Sequence, residues 1–343
     1  MSTLMRRFNR LSRWLHGTLG TTLVLGGVCL SANASAIAST EQAATPKLMQ
    51  QFRAHNLEGE SLIQVVAAPQ GSSFATFASD GLVRVWGKPG VLEQQFGPQP
   101  AAMLFNGFIT TAPTTYLAAA YNGVATRWSP SGQVLQTYAP HLSGATDVVQ
   151  LPGTQGVVTS SDDGSIRFWS SDGRLIKRIQ RPGVSRYLAL APKRQLVAVS
   201  QDISAVTLLS AKGEVLSITP VNQGRLNDLV FTPDERLLIT GGFDGSIKIW
   251  SIENPRLPAK LVRTLPAAPG SGWLEGLSIN RAGVLAAVSD DGVLRLWSLD
   301  GHLHASRKLS THHLLSVSFS ADGKTLYVAA QDGTVSALAI PKG

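Results

Sequence analysis

The eight residues "DDGSIRFW" (162–169) combine a turn with a strand that ends in tryptophan. Close copies are "SDGLVRVW" (79–86), "FDGSIKIW" (243–250) and "DDGVLRLW" (290–297). Weaker copies are "YNGVATRW" (121–128), "QDISAVTL" (201–208) and "QDGTVSAL" (331–338). The Asp-Gly pair favours a tight turn, because glycine adopts positive φ at little cost and aspartate tolerates it. Seven copies, with final residues about forty positions apart, predict seven structural repeats.

Each repeat is predicted to contain four short strands. In the third repeat these are 145–151, 156–161, 165–169 and 174–180, separated by turn residues. No helical pattern of ten residues interrupts any repeat. Because a single four-stranded sheet cannot bury both of its faces, repeated sheets of this size pack around an axis. The sequence therefore predicts an all-β fold, a seven-bladed β-propeller of four-stranded antiparallel blades.

The fourth-strand pattern shows how the ring closes. Six repeats carry this pattern after the tryptophan-type residue, but the last repeat ends without it. The missing copy is "KLMQQF" (47–52) at the beginning of the propeller, which is similar to "VLEQQF" (91–96). We therefore expect the N-terminal strand to complete the last blade.

The repeated units resemble the WD-repeat propellers, and the resemblance covers residues 46–343. In that family a His, a Ser or Thr, the turn Asp and the strand Trp form a buried hydrogen-bonded set. Two such sets match here: His55, Thr76, Asp80, Trp86; and His141, Thr159, Asp163, Trp169. The family's Asp after the Trp is absent throughout. The resemblance implies a propeller whose loops bind protein partners, and the repeated sets are interpreted as scaffold, because buried polar groups need partners.

The N-terminal 38 residues have the composition of a secretory signal peptide. They contain no acidic residue, begin with a basic head and continue into the apolar run 18–30 and an Ala-x-Ala exit. The basic head contains Arg6, Arg7, Arg10 and Arg13. We expect export to the periplasm or cell exterior, with residues 39–45 as a linker. Two alternatives are an uncleaved membrane anchor and lipidation at Cys29, the one cysteine.

The remaining composition argues against several functions. The formal net charge is +8, and removal of four arginines leaves +4 without a basic stripe, so no nucleic-acid partner is expected. No nucleophile elbow, phosphate-binding loop or zinc-protease motif occurs. We therefore predict a non-enzymatic, monomeric scaffold with no cofactor and no metal, which binds a protein partner whose identity the sequence does not give.

Loop residues that differ between repeats are the candidates for partner binding, since loops carry function on a repeated scaffold. Large aromatic and basic side chains are typical interface anchors. The candidates are Trp273, Arg225, His313, Arg186, Tyr187, Tyr121 and Phe243. The alternative is a small-molecule or metal site at the axial channel, perhaps hydrolytic. That site would require Glu60, Glu275, Arg225 and His313 to converge near the axis.

Overall fold

A computed structural model describes residues 45–55, 61–97, 103–110, 113–151, 153–154, 156–202, 204–265 and 272–341. These residues form 28 β-strands and no α-helix, so none of them belongs to a helix that could cross a membrane. The predicted signal segment, 1–38, and most of the predicted linker lie outside the described residues.

The strands form seven four-stranded antiparallel sheets, each of which is one blade. Blade 1 contains β2 (Leu62–Ala67), β3 (Phe74–Ala78), β4 (Val83–Lys88) and β5 (Val91–Phe96). Blade 2 contains β6 (Leu104–Ile109), β7 (Tyr116–Ala120), β8 (Ala125–Trp128) and β9 (Val134–Tyr138). Blade 3 contains β10 (Ala145–Gln150), β11 (Val157–Ser161), β12 (Ser165–Trp169) and β13 (Leu175–Gln180). Blade 4 contains β14 (Ser185–Ala191), β15 (Leu196–Gln201), β16 (Ala205–Ser210) and β17 (Val215–Pro220).

The other three blades follow the same order. Blade 5 contains β18 (Leu226–Phe231), β19 (Leu237–Gly242), β20 (Ile247–Ser251) and β21 (Lys260–Leu265). Blade 6 contains β22 (Leu274–Ile279), β23 (Leu285–Ser289), β24 (Val293–Trp297) and β25 (Leu303–Lys308). Blade 7 contains β26 (Leu314–Phe319), β27 (Thr325–Ala330) and β28 (Thr334–Ala339), and its fourth strand is β1 (Lys47–Arg53). The prediction of an all-β, seven-bladed propeller is confirmed.

Strand β1 closes the ring as the repeat pattern predicts. It pairs antiparallel with β28, from Lys47 opposite Ala339 to Arg53 opposite Thr334. Beyond the strand, the backbone N–H of Ala54 donates to the carbonyl of Gly333 (2.8 Å). The first and last parts of the propeller therefore share one sheet, and β28 is not left as an unpaired edge.

The hydrophobic core is divided among the seven blade–blade contacts. Each of seven buried clusters combines residues from two neighbouring blades, including the contact between blade 7 and blade 1. The repeated tryptophans belong to these clusters; for example, Trp169 of blade 3 packs on Tyr138 of blade 2 at a ring-centroid distance of 5.8 Å. Every blade buries its two faces against its neighbours. The first strands of adjacent blades contact one another around the axis.

In the fourth repeat, the position equivalent to the strand tryptophan lies one residue later in the structure than the sequence alignment predicts. The sequence comparison places Leu208 at the tryptophan position, but Leu209 pairs with Val197 as Trp169 pairs with Val157. Ser204, with φ 56°, occupies the left-handed position that glycine holds in the other turns. The alignment failed here because its marker glycine is missing.

All seven first strands contain a register irregularity close to their beginning. The shift falls between Leu62 and Gln64 in blade 1, between Leu226 and Asp228 in blade 5, and at the equivalent place in the others. A β-bulge of this kind leaves a residue outside the regular ladder and redirects its side chain. These bulges carry several of the residues that form the site described next.

Candidate partner-binding surface

The upper face is defined here as the face on which each first strand begins and the second and third strands are joined by a hairpin. One backbone hydrogen bond per blade connects these two segments. Phe243 N–H donates to the Arg225 carbonyl (3.0 Å), Asp290 N–H to that of Trp273 (3.1 Å), and Gln331 N–H to that of His313 (2.9 Å). The two kinds of loop therefore meet on one face, where Phe243 lies beside Arg225.

Trp273, Phe243 and Arg225 form a three-membered stack on the upper face. The rings of Trp273 and Phe243 are nearly parallel, at an interplanar angle of 7° and a centroid distance of 4.7 Å. The Arg225 Cζ lies 4.4 Å from the centre of the Phe243 ring. Aromatic pairs and cation–π contacts of this kind each contribute about 0.5–1.5 kcal/mol. Trp273 nevertheless remains 39% exposed, so this stack holds in place an aromatic surface that faces solvent.

Arg225 is held from the side by a polar network that joins blades 5 and 6. Its Nε donates to Asn227 Oδ1 (3.3 Å), and Asn227 Nδ2 donates to Glu275 Oε2 (3.2 Å) and to the Leu274 carbonyl (2.9 Å). Burial, and then the positive charge of Arg186, lower the pKa of Arg225. Burial raises the pKa of Glu275 to about 7. Asn227 and Glu275 are the bulge residues of their first strands.

Arg186 and Tyr187 were expected in the loop before the first strand of the fourth repeat, and this position is wrong. Both lie inside β14, where the bulge between Ser185 and Leu188 takes them out of the regular ladder. The Arg186 Nε lies 2.8 Å from Asp202 Oδ1, and its Nη1 lies 3.7 Å from Asp162 Oδ1. Tyr187 packs against the cluster between blades 4 and 5, and burial raises the pKa of its hydroxyl.

A second apolar group lies on the upper face at blades 2 and 3. Tyr121 is 49% exposed, and its ring centroid is 5.8 Å from that of Phe105, a bulge residue. Met103, directly before β6, and Leu142, in the loop before β10, are also exposed, Leu142 to 82%. Sequence reasoning found Tyr121 but missed Phe105 and Leu142, because the bulge that redirects Phe105 has no residue signature.

The residues of the alternative channel site are only partly brought together. Arg225 and Glu275 are linked through Asn227. His313 precedes β26 in blade 7, two blades from Arg225, and Glu60 lies outside the described residues. Within the described ranges no group of three or more His, Cys, Asp or Glu side chains is arranged to hold a metal ion.

The repeated His–Thr–Asp–Trp residues lie beneath this surface as buried hydrogen-bonded sets. In blade 1, Trp86 Nε1 donates to Thr76 Oγ1 (3.0 Å), which lies 2.8 Å from His55 Nε2; the His55 Nδ1 lies 3.1 Å from Asp80 Oδ2. In blade 3, Trp169 Nε1 donates to Thr159 Oγ1 (2.9 Å), which lies 2.7 Å from His141 Nε2. There His141 Nδ1 is closer to Ser165 Oγ (2.9 Å) than to Asp163 Oδ2 (3.5 Å).

Blade 5 builds the same set without histidine, which the sequence comparison did not show. Thr240 Oγ1 donates to Gln223 Oε1 (2.5 Å) and accepts from Trp250 Nε1 (2.9 Å). The Gln223 Nε2 donates to the Ser246 carbonyl (2.9 Å). A glutamine amide thus supplies the acceptor that the imidazole supplies in blades 1 and 3.

Comparison with known proteins places this architecture among propellers built from WD repeats. The WD domain, G-beta repeat family matches residues 122–170, 213–251 and 304–336. An uncharacterized WD repeat-containing protein of Synechocystis sp. is 37% identical over 289 residues, which are 84% of this chain and 85% of that protein. Protein ROOT INITIATION DEFECTIVE 3 of Arabidopsis thaliana is 27% identical over 278 residues, which are 78% of this chain and 54% of that protein.

The long match to the Synechocystis protein covers most of both chains. Together with the seven four-stranded blades, it shows that this chain belongs to the WD-repeat family. Another WD repeat-containing protein of Synechocystis sp. is 30% identical over 98 residues, which are 29% of this chain and 28% of that protein.

Proposed function

We propose that this protein is a non-enzymatic scaffold that binds a protein partner through its upper face at blades 5 and 6. The observation that carries the proposal is the Trp273–Phe243–Arg225 stack, which holds a partly exposed tryptophan in a fixed orientation. Trp and Arg side chains are enriched among the residues that dominate binding energy at protein interfaces. WD-repeat proteins generally act in protein–protein interactions, which supports the same function.

The proposed scaffold acts after export across a membrane. This part of the proposal is supported by the basic, then apolar, acid-free composition of residues 1–38 and by the Ala-x-Ala exit. The mass of the chain recovered from the cell-envelope fraction would test it. Loss of the N-terminal segment supports export with cleavage, whereas a full-length membrane-bound chain supports the uncleaved anchor.

The partner proposal is tested by affinity capture from a cell-envelope extract. Trp273→Ala and Arg225→Ala should each weaken capture of a specific protein by at least about tenfold, because truncation of an interface anchor typically costs 2 kcal/mol or more. Matched controls are Leu257→Ala, an exposed apolar residue, and Arg281→Ala, an exposed arginine. Both lie on the lower face, in the β20–β21 and β22–β23 connections, and should leave capture unchanged.

Equal capture by all four variants would contradict the proposed surface. Capture that is lost in the two lower-face variants but kept in Trp273→Ala and Arg225→Ala would move the interface to the opposite face. Circular dichroism of each variant would show that the comparison is made between folded proteins.

A further inference from the structure

Among the described residues, no carboxylate lies within ion-pair distance of Arg225, in contrast to four other arginines near the hairpin turns of the upper face. Arg84, Arg167 and Arg295 each lie within ion-pair distance of the turn aspartate four residues earlier, and Arg186 pairs with Asp202. Arg225 forms no such ion pair within the described residues, although its head group is partly buried. One nitrogen donates to Asn227, and none of its nitrogens is both enclosed and unpaired. The outer edge of the guanidinium therefore remains available to donate to a group from solvent.

The carboxylates around Arg225 act on it only through space, because none of those described accepts a hydrogen bond from it. Asp202 accepts the hydrogen bond of Arg186. Glu275 accepts a hydrogen bond from the Asn227 amide rather than from Arg225, and burial raises its pKa to about 7, although the positive charge of Arg225 acts in the opposite direction. The positive charge of Arg186 also acts on Arg225 and lowers its pKa. An incoming anion would therefore gain from a desolvated, unpaired positive charge.

We infer that Arg225 binds an aspartate or glutamate side chain of the protein partner, and that the exposed ring of Trp273 receives an apolar side chain next to it. This inference rests on the proposed function of the upper face. Stacking on Phe243 fixes the plane of the guanidinium. A fixed, planar guanidinium edge matches the two oxygens of a carboxylate, with which arginine forms paired hydrogen bonds.

The charges nearby favour a carboxylate over a phosphate. The outer edge of Arg225 in blade 5 is free, while Arg186 of the neighbouring blade 4 is already paired with Asp202. Asp162, Asp202 and Asp290 lie on the same rim, in the hairpins of blades 3, 4 and 6. A doubly charged phosphate would be repelled more strongly by these aspartates than a single carboxylate would be. A phosphopeptide is thus an alternative outcome that the test below can detect.

The test uses a random dodecapeptide library displayed on phage and selected on the intact protein, with the Trp273→Ala protein in solution to remove binders of other surfaces. We expect the selected peptides to share an Asp or Glu beside an apolar residue. Replacing that acid by its amide should weaken binding to the intact protein by at least about tenfold, as measured by calorimetry. With Arg225→Met, the acid and amide peptides should bind equally, since a double-mutant cycle isolates the pairwise contact.

The control protein is Arg281→Met, which should show the full difference between acid and amide. If the acid and amide peptides still differ in affinity for Arg225→Met, the inference is wrong. It is also wrong if the selected peptides share no acid, or if they bind more tightly when phosphorylated. If the peptides depend on Trp273 but not on Arg225, the carboxylate contact is wrong and the proposed binding face stands. A library from which no peptide remains after this depletion contradicts the inference and the proposed face together.

Discussion

At the residue scale, the buried indole N–H of Trp297 shows what the threonine contributes to the hydrogen-bonded sets of blades 1, 3 and 5. Trp86, Trp169 and Trp250 each donate to a threonine, whereas Trp297 Nε1 in blade 6 is buried and has no hydrogen-bond partner among the described residues. The threonine position there is Ala287, which pairs with Arg295 as Thr159 pairs with Arg167. An unsatisfied buried donor costs about 1–3 kcal/mol.

Ala287→Thr should therefore stabilise the protein, because its hydroxyl would accept from Trp297 Nε1. We expect the free energy of unfolding to exceed that of Ala287→Val by about 1 kcal/mol, since the two side chains have nearly the same shape and only one can accept a hydrogen bond. Urea denaturation of both variants measures the difference. If the threonine variant is no more stable than the valine variant, the new hydroxyl does not supply a hydrogen bond that the Trp297 N–H lacks.

His141 makes the stability of blade 3 depend on pH. Burial, followed by the positive charge of Arg167, lowers its pKa from 6.5 to about 4. The folded protein therefore binds this proton less readily than the unfolded chain does. Its contribution to stability is complete above pH 6.5 and is lost as the pH falls from 6.5 to about 4.

His141→Gln should remove this pH dependence and keep the hydrogen bond to Thr159, as Gln223 does with Thr240 in blade 5. Between pH 7 and 4.5 the variant should lose about 2–3 kcal/mol less unfolding free energy than the natural protein. The control His302→Gln changes an exposed histidine and should keep the natural slope. Equal slopes for His141→Gln and the natural protein in urea denaturation would show that His141 is not held neutral.

At the element scale, the strands could be predicted from sequence because their signals are local. Alternation and the Asp-Gly turns placed β10 to β13 to within a residue or two of their observed ends. The fourth repeat shows the limit of this signal: without its glycine, the alignment of "QDISAVTL" moved by one residue. The local pattern determines strands well where the turn chemistry is intact.

The upper-face site could be predicted only in part, because its geometry depends on contacts between blades. Loop position and side-chain type identified Arg225, Phe243 and Trp273. Their stacking could not be predicted, since it depends on the angle at which blade 6 packs on blade 5. The bulge residue Asn227, which links Arg225 to Glu275, was not recognised for a related reason: a bulge changes side-chain direction without changing composition.

At the scale of the whole molecule, polar side chains join neighbouring first strands around the axis. Asp147 Oδ2 accepts from Leu188 N–H (2.8 Å) between blades 3 and 4, and Asp228 Oδ2 accepts from Leu277 N–H (2.7 Å) between blades 5 and 6. Ser316 of blade 7 lies 3.3 Å from both the N and the O of Val65 in blade 1. The Ser316 contact lies at the junction of blades 7 and 1, so the closed ring helps to position the first strands from which the upper-face loops extend.

The central claim is therefore that β1 is the outer strand of blade 7, and a disulfide tests it most directly. In a chain whose single natural cysteine, Cys29, is replaced by serine, Arg53→Cys with Thr334→Cys places two cysteines directly opposite each other. Directly opposed residues of an antiparallel pair have Cα atoms about 4.5–5.5 Å apart, within disulfide range. The control, Gln51→Cys with Thr334→Cys, moves one cysteine by two residues, or about 7 Å along the strand, which is too far for a disulfide.

The measurement is the yield of cross-linked monomer after mild oxidation of the folded protein, read by non-reducing electrophoresis and peptide mass spectrometry. We expect a nearly complete disulfide between positions 53 and 334 and little for the control pair. An uncross-linked 53–334 pair in a folded protein, or equal yields for the two pairs, would contradict closure of the seven-bladed ring by β1.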